Sequence, residues 1–334
     1  MKKLQVPYNL DPEVLSLYAA WSDYIAEIYF APHPNLFPTA RQFEFGTEED
    51  YFKEIENICT FGDQYNINTM LLLNGTNVVL NNNKLNEIDI FLKKIYNKIT
   101  GVIIANPILA EWVHSHYPQL KIRLSVLSLA TTVGQIKQIA NLGYIKEICL
   151  PQSYNRDLNA LKELKKEVPN IEFSAIVNSG CRANCPLFNW HHSSFNSNLE
   201  SWNKGNFSEL KQSLYKQSSN YNNNILASPF ILPSELFRYD EFYHQFKLED
   251  RTISTSNLHS ILASYATRID KGTFLIEFLH GSCLPTQLNT LETDKLSLEW
   301  KTNILTCKNE CWKCDLCDKL LKNMLSERNI ENGK

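Results

Sequence analysis

Residues 101–126 read GVIIANPILAEWVHSHYPQLKIRLSV. Val102–Ala105 is a short apolar run. Asn106-Pro107 interrupts it, Ile108–Tyr117 carries a helical pattern, and Lys121–Val126 returns to an extended one. Apolar runs this short, bounded by turn signals, fit strands buried on both faces, as a parallel sheet requires. One such unit is a strand, a turn and a helix that carries the chain back to start the next strand alongside.

The same unit recurs on both sides. Upstream, strand Tyr24–Phe30 (YIAEIYF) precedes the loop Ala31-Pro32-His33-Pro34. A helix follows with Thr47 as its N-cap and Glu48, Glu49 and Asp50 in its first turn, where acidic groups complement the helix dipole. Strand Thr69–Leu73 ends in Asn74-Gly75-Thr76, and the next helix spaces Leu85, Ile88, Leu92 and Ile95 along one face. Downstream, helix Val133–Leu142 closes on Gly143, and strand Glu147–Leu150 ends in Pro151-Gln152. Helix Leu158–Val168 stops at Pro169, and strand Glu172–Val177 ends in Asn178-Ser179-Gly180. Six such units predict an α/β fold, a closed (β/α)8-like TIM barrel.

After Cys185 the rhythm breaks. Residues 186–232 are rich in Asn and Ser and hold Trp190, His191, His192 and Trp202. A segment this long without periodicity reads as a lid-like insert after the sixth strand. The pattern resumes with helix Ser234–His244, strand Gln245–Leu248, helix Asn257–Thr267 and the apolar stretch Phe274–Leu279. The division expected is a barrel over 1–280 and a cysteine-rich, metal-binding tail over 281–334.

The chain has 334 residues, 43% of them hydrophobic, which supports a sizeable core. A formal net charge of −3 exerts no global pull toward nucleic acid. No apolar stretch approaches the roughly 18 residues of a membrane span, and the lysines of MKKLQVPYNL precede no long apolar run. Together with tightly spaced cysteines, this predicts a cytoplasmic protein without membrane contact.

Six of the nine cysteines fall in two tight clusters. NSGCRANCP places Cys181 and Cys185 directly after a strand, on the face where barrel enzymes work. CKNECWKCDLC places Cys307, Cys311, Cys314 and Cys317 within eleven positions. Structural zinc knuckles usually stand a dozen or more residues apart, whereas ferredoxin-type iron–sulfur spacing is this compact. The expectation is a 4Fe-4S centre, one or two in number, with zinc the alternative for the tail. Trp312 and Leu316, interleaved among the thiols, are placed to shield the centre or to pack the tail. Cys307, Cys311 and Cys314 also match the CxxxCxxC of radical enzymes that use S-adenosylmethionine. That motif follows the first barrel strand in those enzymes and lies after the barrel here, so the match is read as coincidental. No GxSxG or HExxH occurs.

Other candidates sit at strand ends: His33, Asn74, Asn106, Ser125, Gln152, Asn178, Lys247 and Arg251. Asn74, Asn106, Gln152 and Asn178 are candidate substrate-binding residues, with turn formation the competing reading for asparagines next to Gly or Pro. His33 between prolines reads as structural. His191 and His192, soon after the Cys181 loop, are candidate proton donors or additional ligands.

A β/α barrel, a strand running into NSGCRANCP, and a later KLEDR (Lys247 to Arg251) resemble peptidase family U32. The resemblance covers about residues 20–270. It implies a 4Fe-4S cluster at the barrel mouth and oxygen-independent hydroxylation of RNA bases or quinone precursors. It carries cluster ligation to Cys181 and Cys185, and it makes Lys247 and Arg251 candidate catalytic residues that bind an anionic group. The chain departs from the family in having only CxxxC at that loop and four cysteines in its tail. The function expected is an iron–sulfur redox enzyme acting on a peptide, RNA or small aromatic molecule, partnered by an electron donor or a partner enzyme. A non-catalytic, cluster- or zinc-stabilised subunit that presents substrate is the alternative.

Overall fold

The computed structural model describes residues 3–39, 46–181, 185, 186, 188, 225–249, 251–270, 273–275, 290–311 and 313–331. Eight parallel strands close into a barrel in chain order: β1 Leu4–Pro7, β2 Ile25–Phe30, β3 Asn68–Leu73, β4 Gly101–Ile104, β5 Lys121–Leu124, β6 Glu147–Leu150, β7 Glu172–Ile176 and β8 Gln245–Lys247. The surrounding helices are α1 Glu13–Ala20, α2 Glu48–Tyr65, α3 Asn82–Ile95, α4 Pro107–His116, α5 Val133–Ala140, α6 Leu158–Glu167 and α7 Thr255–Thr267. Beyond the barrel lie strands β9 Thr273–Leu275 and β10 Thr290–Glu292, then helices α8 Leu298–Asn303 and α9 Leu316–Glu331.

Local chemistry sets the boundaries. Thr47 Oγ1 accepts from the Asp50 N–H at 3.1 Å while the Asp50 carboxylate accepts from the Thr47 N–H at 2.9 Å, starting α2 as its sequence predicts. Gly143 takes a φ of +79° after α5, a conformation that favours glycine.

Strand alternation separates two apolar regions. Outward residues such as Val6, Ile28, Leu71 and Ile104 join the main core under the helices. Tyr29, Met70, Leu72 and Ile103 pack together inside the barrel. Ala105, Val126, Leu127, Cys149 and Ile176 form a further apolar wall toward the C-terminal end, with Phe188 against it.

The opposite, N-terminal end of the interior is charged. Arg123 on β5 pairs through two nitrogens with Glu27 on β2, and one of them lies 2.7 Å from Glu147 on β6. Gln5 Nε2 donates to Gln245 Oε1 at 2.6 Å and to Glu147 at 3.0 Å. Burial pushes the Glu27 carboxyl up and Arg123 opposes that shift, while both glutamates hold the guanidinium protonated.

Three sequence expectations change. Leu4–Pro7 is the first strand, so the insert follows the seventh strand, not the sixth. Four residues with the polar Gln5 facing inward present no apolar run to recognise. The helix expected at Ser234–His244 is a 3₁₀ helix over Pro233–Tyr239. The start of the apolar stretch Phe274–Leu279 pairs antiparallel with β10 outside the barrel, and residues 276–279 lie outside the described residues. Among the described residues, no helix is long and apolar enough to cross a membrane.

Candidate active site and cysteine centre

The C-terminal ends of the strands gather the polar candidates. Asn178, fully buried after β7, donates from Nδ2 to the Glu249 carbonyl at 3.0 Å and accepts from the Glu249 N–H at 2.6 Å. It therefore clamps the end of β7 to the residue two past the end of β8. Lys247 points inward, and its Nζ lies 4.1 Å from the centroid of the Tyr29 ring. Burial pulls its pKa down, more than the nearby Cys149, Glu249 and Glu27 raise it. Cys149, on β6, has its thiol pushed up by burial. Arg251 is buried and donates to Thr39 Oγ1 at 3.2 Å, tying the segment after β8 to the loop after β2.

Two buried polar atoms in this region have no hydrogen-bond partner, Asn74 Oδ1 and Glu249 Oε2. Each such atom costs about 1–3 kcal/mol of desolvation. A fold keeps that cost where a ligand or water completes the bonds. Gln152 is buried at the start of the 3₁₀ turn after β6. Asn106 and Ser125 are turned to the backbone: Asn106 Oδ1 accepts from Ile108 N–H at 2.9 Å and Ser125 Oγ from Leu127 N–H at 3.2 Å. His33 accepts from the Asn35 N–H at 3.3 Å and meets the Tyr51 ring edge-on. His191 and His192 lie outside the described residues, as does most of the expected lid over 186–232.

Both cysteine loops sit at this same end. Cys181 follows β7, and its N–H donates to Ser179 Oγ at 3.3 Å. The tail docks on the loop after β6: Leu158 N–H donates to Leu305 O at 2.7 Å and Asn309 Nδ2 to Ser153 O at 3.2 Å. Residues 225–230 bridge the two. Ser228 Oγ donates to Gly180 O at 2.7 Å on one side, and Cys317 Sγ reaches Leu226 O at 3.4 Å on the other.

The four tail thiols are close enough to act on one another's ionisation. Burial first, then Cys307 and Cys317, push the Cys311 thiol up to about 11, and burial likewise raises Cys317. N–H groups already point at two sulfurs: Trp300 Nε1 at 3.3 Å from Cys317 Sγ, and the Asn309 amide at 3.4 Å from Cys307 Sγ. Arg156 brings a positive charge beside them. Its guanidinium stacks over the Trp300 ring at 5.2 Å and donates to Leu226 O at 3.1 Å, the same carbonyl that Cys317 reaches. It also donates to Ser228 O, and its buried Nε has no partner. A buried guanidinium held by neutral carbonyls is short of an anion.

This donor set fits an iron–sulfur cluster. Thiolates on it would offset Arg156, and N–H···S bonds are the usual outer shell of such centres. Among the described residues, no three His, Cys, Asp or Glu side chains converge as tightly as a single metal ion requires. Zinc draws its sulfurs to about 2.3 Å from one point, whereas a cluster spreads them over several ångströms. Trp312 lies outside the described residues, and Leu316 is half-buried against the main core.

A cavity of about 540 Å³ opens at the opposite end, lined by Glu27, Arg123, Glu147 and Gln245 among others. It lies under the N-terminal ends of the strands, where barrel conservation and chemistry are structural. The residues that sequence reasoning missed are Arg156, Trp300, Ser174 and Cys149. Arg156 and Trp300 meet the cysteines only through long-range packing, and Ser174 and Cys149 sit inside short strands without a motif.

The model for peptidase family U32 matches residues 17–184, half of the chain. The chain superposes on the structure of the U32 peptidase Mk0906 with a TM-score of 0.52 and 14% identity, over 74% of this chain and 92% of that one. Thiamine phosphate pyrophosphorylase from Pyrococcus furiosus (TM-score 0.37, 13% identity, 79% of this chain and 96% of that one) is a weaker likeness. N-acetylneuraminate lyase from Mycoplasma synoviae is similar at TM-score 0.35 and 12% identity, over 80% of this chain and 97% of that one. At these identities the first likeness speaks for the fold alone, and the other two carry no weight. No curated protein sequence matches the chain significantly. From the matched half of its sequence, and in keeping with its barrel, the chain belongs to peptidase family U32.

Proposed function

We propose that the chain is an iron–sulfur enzyme that carries out a redox modification at the C-terminal mouth of its barrel. The carrying observation is the tail: four interacting thiols beside a buried Arg156 whose Nε lacks a partner. In this reading Cys307, Cys311, Cys314 and Cys317 hold a 4Fe-4S cluster, and Cys181 and Cys185 contribute to a second centre on the adjoining loop. A 4Fe-4S cluster, when bound, supplies electrons one at a time. The chain's own residues do the rest. Trp300 and Asn309 orient the sulfurs, Arg156 offsets their charge, and the segment 225–230 ties the tail to the Cys181 loop.

The substrate binds over the polar mouth, where Asn74 and Glu249 offer acceptors to its hydroxyl or amino groups and Lys247 and Arg251 face its anionic part. The apolar wall from Ala105 to Ile176 receives its body. A small aromatic molecule, an RNA base or a peptide side chain meets that description, and oxygen-independent hydroxylation is one reaction of this kind. An electron donor completes the cycle.

The test is anaerobic purification with iron, acid-labile sulfide and zinc counted together. Iron and sulfide in equal amounts, with absorbance near ~400 nm, support the proposal. Stoichiometric zinc without iron contradicts it and leaves a zinc-stabilised subunit that presents substrate to a partner enzyme.

A further inference from the structure

Arg156 ends the 3₁₀ turn that follows β6 and is 2% exposed. Its guanidinium carbon lies 5.2 Å from the centroid of the Trp300 ring and 5.5 Å from that of Phe230, and those two rings stand 6.4 Å apart. Nη2 donates to the carbonyls of Leu226 and Ser228, and Nε has no partner. Arg123, buried as deeply at 3% exposed, is neutralised by Glu27 and Glu147. Arg156 has ring faces and neutral carbonyls instead, which orient a cation without cancelling its charge. A cation kept whole in a site closed to water acts strongly on any charge beside it.

Beside it stands the cysteine tail. Cys317 Sγ lies 3.4 Å from Leu226 O, the same oxygen that accepts from Arg156 at 3.1 Å. After burial, Arg156 is the first influence on the Cys317 thiol, and it also reaches Cys311; at both it favours the thiolate. Trp300 serves cation and sulfur together. Its ring face receives the guanidinium, and its Nε1–H stands 3.3 Å from Cys317 Sγ. Trp300 is fully buried, so that N–H has no water as an alternative acceptor.

We propose that Arg156 and Trp300 set the reduction potential of the iron–sulfur centre held by Cys307, Cys311, Cys314 and Cys317, raising it to within reach of a one-electron donor. The inference rests on the cluster reading of the tail. Four thiolates give a 4Fe-4S centre a net negative charge, and reduction adds one more. One electron leaves the donor and enters the centre; no bond forms or breaks, and no proton moves. Arg156 lowers the energy of the more negative state by Coulomb attraction, and Trp300 does so through its N–H···S bond. Both are positioning residues. The loop after β6 thereby tunes a centre whose ligands all come from the tail, which ties its potential to the docking of tail on barrel.

The test is a redox titration of the full, anaerobically purified chain with sodium dithionite and mediator dyes, followed by electron paramagnetic resonance. Iron and acid-labile sulfide are counted in every sample. Arg156→Met is expected to disfavour reduction about tenfold, a midpoint lower by about 59 mV for one electron. Arg156→Lys keeps the charge and recovers most of that shift. Trp300→Phe keeps a ring face for Arg156, removes the N–H, and lowers the midpoint by less. An Arg156→Met midpoint that is unchanged or raised, at wild-type iron and sulfide, overturns the role of Arg156 while leaving the cluster in place. If Arg156→Met loses its iron, Arg156→Lys and Trp300→Phe decide: a midpoint unchanged in Trp300→Phe, or Arg156→Lys as empty as Arg156→Met, overturns the proposal. Wild-type chain without iron and sulfide defeats the cluster reading itself, and this inference with it.

Discussion

The two ends of the barrel interior use polar residues in opposite ways. At the N-terminal end Glu27, Arg123 and Glu147 satisfy one another, with Gln5 and Gln245 filling the ring, and only Arg123 Nε and Gln5 Oε1 are left over. At the C-terminal end Asn74 and Glu249 keep buried atoms unbonded, and Lys247 is buried over a tyrosine ring. Paired charges make the first end a structural plug. Unpaired groups leave the second end with buried atoms that a ligand or water could bond. The same residue types thus mean stability or function according to whether the fold satisfies them.

The largest effect that can break this comparison is at Arg123. Arg123→Met leaves the buried Glu27 and the half-buried Glu147 without a cation and is expected to cost about 3–5 kcal/mol in denaturant unfolding. The deficit has a pH signature. Glu27 is already pushed up by burial, and without Arg123 it rises further. A carboxyl raised in the folded state favours folding while protonated and loses that advantage as pH rises through its folded value. The variant is therefore closest to wild type at acid pH and farthest from it at pH 7–8. A small, pH-independent loss would mean that the plug is not ionic.

A change of opposite sign is expected at the other end. Asn74→Ala removes a buried acceptor that bonds to nothing, so stability stays level or rises by up to about 1 kcal/mol. Substrate turnover or binding falls nonetheless. Clear destabilisation by Asn74→Ala would assign that side chain to the fold rather than the site.

The smallest effect sharpens the contrast between buried and surface charge. Asp240 bridges Arg268 and Lys3, and the Arg268 hydrogen bond is the first cause of its lowered pKa. Its side chain is a third exposed, so solvent screening limits the pair to about 1 kcal/mol or less. A carboxyl lowered in the folded state stabilises above its unfolded pKa, and that gain is lost as pH falls through the folded value. Asp240→Asn is expected to cost less than about 1 kcal/mol at pH 7, with the gap closing below about pH 3. A loss as large as that at Arg123 would remove burial as the explanation.

Much of this was legible in the sequence. Six barrel strands announce themselves by short runs that end in turn residues, β8 lies within the expected strand Gln245–Leu248, and Thr47 with its acidic first turn starts α2 as read. β1 escaped because polar Gln5 interrupts its buried residues and Pro7 ends it after four. The cysteine loops and Lys247 were visible as motifs and spacing. Their surroundings were not. Arg156 meets Cys317 across some 160 positions of chain, through a shared backbone carbonyl that no pattern encodes. The unbonded state of Asn74 and Glu249 is likewise a property of neighbours. Asn106 and Asn74 both precede a turn residue, yet one is spent on capping a helix and the other is left with an open acceptor.

The most direct test places both ends in one experiment: iron and acid-labile sulfide per chain, counted anaerobically for wild type, Arg123→Met and Cys314→Ala. Cys314 is exposed, so its loss costs the fold little while removing a proposed cluster ligand. The account predicts that Cys314→Ala keeps wild-type unfolding of the barrel but loses iron and sulfide together. Arg123→Met, below its unfolding transition, keeps both at wild-type stoichiometry. Full iron and sulfide in Cys314→Ala, or no iron in wild type, would contradict the assignment of the cysteine tail as the cluster site.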